Sequence, residues 1–508
     1  MNWAEEFEKW LVGIDSRGIK ICRIGDQKFS ERVRKDLLSW YTWPRPSVLL
    51  INYEAYRNMV LYDGSRSRRT ALPVDEEEVK SLQEIIKQCL VDPGPDLVVC
   101  DEGHLIKNQT GAINRAITQI KTRRRMVLTG TPVQNNLNEY YAMVDWIKPA
   151  LLGTVKEFNN LYANPIKDGQ HQDSTLQMIK RMKQRSFILN KKLSKFVQRM
   201  EVGVLEKFLP TLEQYCIFVP LTPVQEKLYE RFLTQNPPSG HQLLNDYTAL
   251  RKIWTHPKVL QNAYDRAMKG ELKIEDVKRR QMDDLNHDGP DDLLDVIEGN
   301  TGVKSNWWRE FVTENDLESI ISSNKLILLF QILRLCESRR EKCLVFSAFV
   351  AVLNVVEYFM KKINEYMRNP AAAGKNFGYQ EYATSWVDGV DYYRLDGSTK
   401  GDARHAMVKN FNKTENFRLR CFLISAKAGG QGINLIGANR CVILDTAWNP
   451  SADQQNIFRI YRLGQQKVCY VYRFVLLILF GGGLEGSRGL SSTNGSEKSR
   501  QVGPQSIH

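Results

Sequence analysis

Seven short apolar runs constrain this chain more than any other feature. Three lie in the first half, Ser47–Asn52, Asp96–Cys100 and Arg125–Thr129, and four in the second, Lys342–Ser347, Tyr392–Leu395, Arg420–Ser425 and Cys441–Asp445. None alternates apolar with polar residues, and each stops at a polar loop. Strands of this length and pattern suit parallel sheets covered on both faces. Helical stretches such as Ser319–Glu337 and Val350–Met367 lie between them. Strands alternating with helices predict an α/β fold of doubly wound parallel-sheet units, one in each half.

The 508 residues carry a formal net charge of +13, which suggests a polyanionic partner and says nothing about fold. The charge is uneven. Ser174–Met200 holds eight basic residues (Lys180, Arg181, Lys183, Arg185, Lys191, Lys192, Lys195, Arg199) and no acid, whereas Gln281–Glu298 holds seven acids and no Lys or Arg. The acidic stretch, interrupted by Gly289-Pro290, reads as a solvated loop between two folded halves. The basic stretch reads as a solvated helix face or as a second DNA or nucleosome surface. The nine cysteines are scattered without a Cys-x-x-Cys pair, which points away from a zinc ribbon or disulfide framework and towards a reducing compartment. The start of the chain lacks the basic-then-apolar pattern of a secretory leader. Phe474–Phe480, the longest apolar run near the C-terminus, is far short of the roughly 20 residues that span a bilayer, so no membrane partner is expected.

Chemistry concentrates where strands end. The Asp96–Cys100 run stops at Asp101-Glu102-Gly103-His104. Two adjacent carboxylates at the carboxyl end of a strand can divide the work of phosphoryl transfer, Asp101 holding Mg²⁺ and Glu102 orienting a water. A solvated strand-to-loop junction has the same residues, and the strand in front of them favours the chemical reading. Leu128-Thr-Gly-Thr131-Pro132 follows the next strand.

In that order the motifs resemble the Swi2/Snf2 family of helicase-superfamily-2 ATPases, built from two RecA-like lobes. The second half agrees. Arg394-Leu-Asp-Gly-Ser398-Thr-Lys400 resembles the family's motif IV region and Ser425-Ala-Lys427-Ala-Gly-Gly430-Gln-Gly432 its motif V. Asn449-Pro450, Asp453, Gln455, Arg459, Arg462, Gly464 and Gln465 meet the motif VI pattern at every fixed position. Three apart, Arg459 and Arg462 are expected to share one helix face and to act as arginine fingers across a cleft, so that hydrolysis requires lobe closure. The resemblance implies ATP and Mg²⁺ as cofactors, with His104, Gly430, Gly432 and Gln465 near the nucleotide. It also implies Thr131, Ser398, Lys427 and Trp448 near nucleic acid, although core packing accounts for Trp448 equally well. Ile253-Trp-Thr-His-Pro257, Trp308–Thr313, Tyr470–Phe474 and several stretches of the first half are similar to ATRX-type remodellers. That branch implies a nuclear ATPase stimulated by double-stranded DNA and acting on nucleosomes. A DExH-type RNA helicase fits less well, because motif VI ends Arg-x-x-Arg-x-Gly-Gln.

One family element is missing from the 508 residues. No Gly-x-x-x-x-Gly-Lys-Ser/Thr loop is present: Gly374-Lys375 is followed by Asn376, and Lys304-Ser305 is preceded by Val303. Such a loop cradles phosphates on its amides. The expected organisation is therefore an incomplete first lobe (1–152), a mainly helical insertion with an acidic linker (153–324), a second lobe (325–475) and a disordered tail (476–508). The expectation is a truncated product or partial gene model. It would have little ATPase activity alone, or act as a non-catalytic DNA-binding fragment.

Overall fold

The computed structural model describes residues 2–12, 19–25, 31–61, 76–130, 137–235, 243–268, 307–369, 378–399, 401–429, 432–447 and 450–477. Ten strands fall within them. β1 (Lys20–Ile24) pairs with β2 (Ser47–Ile51), and β3 (Val98–Cys100) with β4 (Arg125–Val127), both in parallel. The other six are β5 (Leu212–Pro220), β6 (Cys343–Ser347), β7 (Tyr392–Leu395), β8 (Cys421–Ser425), β9 (Arg440–Ile443) and β10 (Cys469–Leu477). They form one sheet in the order β5-β10-β9-β6-β8-β7, parallel throughout.

The non-alternating strands of the second half are explained by their cover. Cys343 and Val345 of β6 and Leu423 of β8 face helices Asn324–Ser338 and Val350–Arg368. Leu344, Phe346, Phe422 and Ile424 face the other way, onto Phe411, Leu435, Ile457 and Ile460. Every residue of β6, β8 and β9 is buried.

The first half differs from expectation. One face of its strands packs on Leu37, Tyr56, Ile86, Ile113 and Trp146. The opposite face of β3 and β4 is open, with Val99 47% and Met126 50% exposed and Leu97 just before them at 55%. These strands share the apolar composition of a two-sided sheet but are covered on one side only. Arg125 closes the far end of this unit, its guanidinium donating to the carbonyls of Ile120, Thr122 and Trp146 at 2.6, 2.9 and 2.8 Å.

Two expected boundaries are corrected. β5, inside the presumed helical insertion, is the outer strand of the second sheet, held by its pairing with β10 from Leu212–Cys469 to Pro220–Leu477. Strand β10 also carries Leu476 and Leu477, which the expected tail had claimed. The acidic 281–298 stretch and residues 478–508 lie outside the described residues.

The helices Leu243–Thr255 and Pro257–Met268 lock onto the second sheet through the Thr255-His256-Pro257 corner. His256 is fully buried against Phe359. Its Nδ1 accepts from the Lys258 N–H at 3.0 Å, which leaves Nε2 as donor to the Ser319 carbonyl at 3.0 Å. That arrangement is the neutral ring, and burial lowers its pKa to about 4. The unfolded chain takes up this proton near pH 6.5, so between about 6.5 and 4 it holds more protons than the folded chain. Stability therefore falls as the pH drops through that window, by about 3 kcal/mol in all. Urea unfolding between pH 7 and 4.5 measures this, and His256→Gln flattens that part of the profile.

Candidate functional site

The acidic turn is built by backbone geometry. Beyond β3 the Gly103 N–H donates to the Leu128 carbonyl at 2.9 Å, and the Leu128 N–H to the Cys100 carbonyl at 2.8 Å. This clamps the turn to the end of β4. A Cβ on Gly103 would lie 2.1 Å from Val127 Cγ1, so only glycine fits. Glu102, one residue earlier, takes the left-handed conformation at φ 49°, ψ 54°, which costs a non-glycine residue about 1–2 kcal/mol. Strain of this kind persists where the surroundings over-determine it, often at functional sites. The Glu102 carboxylate lies 3.3 Å from His104 Nδ1. His104 and, more weakly, Arg459 hold the Glu102 carboxyl below the usual carboxylate range, against the opposing effect of its burial.

Arg459 belongs to the second half. It is buried, and burial lowers its pKa while the Glu102 carboxylate supports its charge and Arg462 opposes it. The two expected partners, an acid from one half and a guanidinium from the other, thus share one electrostatic environment. A second link joins the halves, Glu5 Oε1 lying 3.2 Å from His405 Nε2.

The expectation that Arg459 and Arg462 share a helix face is corrected. The helix Pro450–Ile457 ends before them. The Arg459 carbonyl accepts from the Leu435 N–H at 3.0 Å, and the Arg459, Ile460 and Gln465 N–H groups bond three residues back. The Arg459 carbonyl thus bonds a neighbouring loop and not the next helical turn, and the chain tightens into turns. Gln465, expected near the nucleotide, is held by neighbouring backbone. It is buried, its Nε2 donates to the carbonyls of Ile436, Ala438 and Ile460 at 3.2, 2.8 and 3.1 Å, and its Oε1 accepts from the Gln466 and Lys467 N–H groups. Its amide is fully used in holding the arginine loop.

The remaining loops gather at the carboxyl edge of the second sheet, where open α/β sheets bind ligands. After β7, Ser398 is exposed and donates to Asp396 Oδ1 at 2.6 Å, while Arg394 braces the other Asp396 oxygen at 3.0 Å. After β8, the backbone of Lys427 lies in the short helix Ala426–Gly429, and Gly432 is at φ 65° with open space around it. Thr131, Gly430, Trp448 and the Lys427 side chain lie outside the described residues. Asp445, after β9, accepts from Ser347 Oγ at 2.5 Å and lies 4.0 Å from Lys325 Nζ.

Sequence reasoning missed Trp3. Its indole N–H donates to Asp101 Oδ2 at 2.8 Å, and Asp101 Oδ1 accepts from the Glu102 N–H at 2.9 Å. Among the described residues no group of three or more His, Cys, Asp or Glu could hold a metal. Mg²⁺ with a nucleotide needs only one or two protein carboxylates, but Asp101 is engaged by Trp3 and the sequence supplies no phosphate cradle. These residues offer an acid and a guanidinium, and ATP with Mg²⁺ does not fit them unaided.

Comparison with known proteins agrees with the motifs. Residues 1–259 match the SNF2-related domain, and residues 324–464 match the Helicase conserved C-terminal domain. The chain is 37% identical, over 94% of its length, to the Transcriptional regulator ATRX homolog of Drosophila melanogaster, of which it covers 40%. It is 36% identical, again over 94%, to the Transcriptional regulator ATRX of Homo sapiens, of which it covers 22%. It is 35% identical, over 93%, to the Protein CHROMATIN REMODELING 20 of Arabidopsis thaliana, of which it covers 31%. The chain thus spans well under half of each of these relatives.

Gln465→Ala strands three carbonyls and two amide N–H groups, and is expected to cost about 2–3 kcal/mol in chemical denaturation. Ser398→Ala, at an exposed hydroxyl, is expected to cost under about 1 kcal/mol in the same measurement.

Proposed function

Because the chain belongs to the SNF2-related family, in its ATRX-like branch, we propose that it is the DNA-engaging motor region of a nuclear chromatin remodeller, and that these 508 residues alone bind double-stranded DNA but hydrolyse ATP little or not at all. The observation that carries this reading is the electrostatic attraction between Glu102 and Arg459, one from each half. An attraction that exists only when the halves meet couples their relative position to whatever lies between them. Glu102 is the water-orienting acid of this reading, Arg459 its arginine finger, and Arg462 a second guanidinium beside it. Asp101 is the Mg²⁺ ligand of the family arrangement, and here its carboxylate is held by Trp3.

The DNA partner follows from the family resemblance of four residues, of which Ser398 is described at the carboxyl edge. Ser398 and Lys427, with Thr131 and Trp448, supply a hydroxyl, an amine and an aromatic face of the kind that tracks a phosphate backbone. Nucleosomes are the natural form of that partner for an ATRX-like chain. His104 acts by holding the Glu102 carboxylate ionised. No hydrolytic step is assigned to this chain, because the Gly-x-x-x-x-Gly-Lys-Ser/Thr loop is not among its 508 residues.

Fluorescence anisotropy with a duplex of about 30 base pairs and a duplex-stimulated ATPase assay test the two parts. The expected result is salt-sensitive duplex binding, indifferent to ATP, with turnover at background. Steady turnover that Glu102→Gln abolishes would overturn the second part, and absence of duplex binding would overturn the first.

A further inference from the structure

The helix Leu176–Leu193 has two unlike faces. Leu189 and Leu193 are buried, with Met182 beside them, in a small core shared with Tyr141, Val144 and Phe158. Tyr141 and Val144 lie on the helix Leu137–Ile147, whose other residues Met143 and Trp146 belong to the core of the first half. The basic helix therefore rides on the outer side of that half. Its free face exposes Lys180, Arg181 and Lys191, with Lys195 just past its end, whereas Lys192 Nζ turns back to the Leu151 carbonyl at 3.3 Å. Phe187, 68% exposed, and Ile188 lie among them.

Nothing within the described residues neutralises this face. Among them, Lys180, Arg181, Lys191 and Lys195 form no ion pair, and no acid occurs between Ser174 and Met200. Like charges one turn apart, such as Arg181 and Arg185, weaken a helix by roughly 0.2–0.5 kcal/mol per pair, so the chain keeps an arrangement that an external polyanion relieves. The composition selects the polyanion. Protein interfaces are depleted in lysine, and three of these four free cations are lysines, mobile point charges suited to phosphates and not to reading base edges. Lys180 to Lys192 spans about 18 Å along the helix, a length over which duplex DNA presents roughly ten phosphate charges.

We propose that the Lys180–Lys195 face is a second contact for double-stranded DNA, independent of sequence and separate from the loops at the carboxyl edge. The duplex partner rests on the reading under Proposed function. The face bears on a phosphate backbone, with Phe187 and Ile188 against the sugars.

The test is the salt dependence of binding of the full chain to a random-sequence duplex of about 40 base pairs. Each phosphate contact contributes about 0.9 to the slope of log K against log salt. The combined variant Lys180→Gln, Arg181→Gln, Lys191→Gln, Lys195→Gln is expected to lower that slope by about 3–4 and to weaken binding at least ~10-fold at low salt. Lys180→Arg, Lys191→Arg, Lys195→Arg, which keeps the charges, is expected to retain the wild-type slope. An unchanged slope in the glutamine variant, with a wild-type melting temperature, overturns the proposal. If Lys427→Ala still lowers the slope in that case, the motor reading stands and this surface alone is refuted. If the wild-type chain binds no duplex, both fail. Loss of poly-glutamate binding in the glutamine variant, with its DNA slope intact, assigns the face to an acidic protein and likewise overturns the proposal.

Discussion

A parallel strand has no hairpin neighbour and needs a covering layer on each face, and the rest of this structure depends on how far that requirement is met. At the centre of the second sheet it is met completely: β6, β8 and β9 are buried along their whole length between two helical layers. Uniform direction then sends the loops after β6, β7, β8 and β9 to one edge, and Ser347, Ser398, Lys427 and Asp445 arrive there with no further instruction. In the first half the requirement is half met. Val99 and Met126 face outwards from strands whose other side is packed.

The candidate site is a product of that difference. The arginine side rests on the finished sheet and is fastened by an amide, Gln465, whose every polar atom is spent on neighbouring backbone. The acid side rests on two short strands clamped together by Gly103, with Glu102 held in a left-handed turn. Between the halves, the Thr255-His256-Pro257 corner brings Thr255 within 3.4 Å of Asp445 and Arg251 within 3.2 Å of the Thr446 carbonyl. The helices before the second sheet therefore grip the segment that leads into the arginine loop.

Much of this was legible in the residues. All seven apolar runs contain strands, and the helices expected at Ser319–Glu337 and Val350–Met367 are present with ends displaced by a few residues, the first beginning at Asn324 after a short 3₁₀ turn. β1 and β5 were invisible because Lys20-Ile-Cys-Arg-Ile24 and Leu212–Pro220 mix polar with apolar residues, as edge or half-covered strands do. β5 is defined by its partner, β10, and a partner far away in sequence leaves no local trace. The motif pattern located Arg459 and Glu102, but the shape of the arginine loop was misread, because spacing alone does not reveal that Leu435 takes a carbonyl out of the helix. Trp3 escaped notice for the same reason: a hydrogen bond across 98 residues has no local signature.

The pairing of β5 with β10 also bears on how the chain comes into being. Leu212 and Cys469 are neighbours in the sheet although roughly 250 residues separate them. At synthesis rates of about 5–20 residues per second, β5 leaves the ribosome on the order of 10–50 seconds before its partner. During that interval it is a strand with both edges unpaired, the kind of segment that finds the wrong neighbour. Non-local parallel pairing is also slow to form once both strands exist. The second sheet is thus complete only once β10 has emerged, and its yield is expected to depend on what shelters Leu212–Pro220 while it waits.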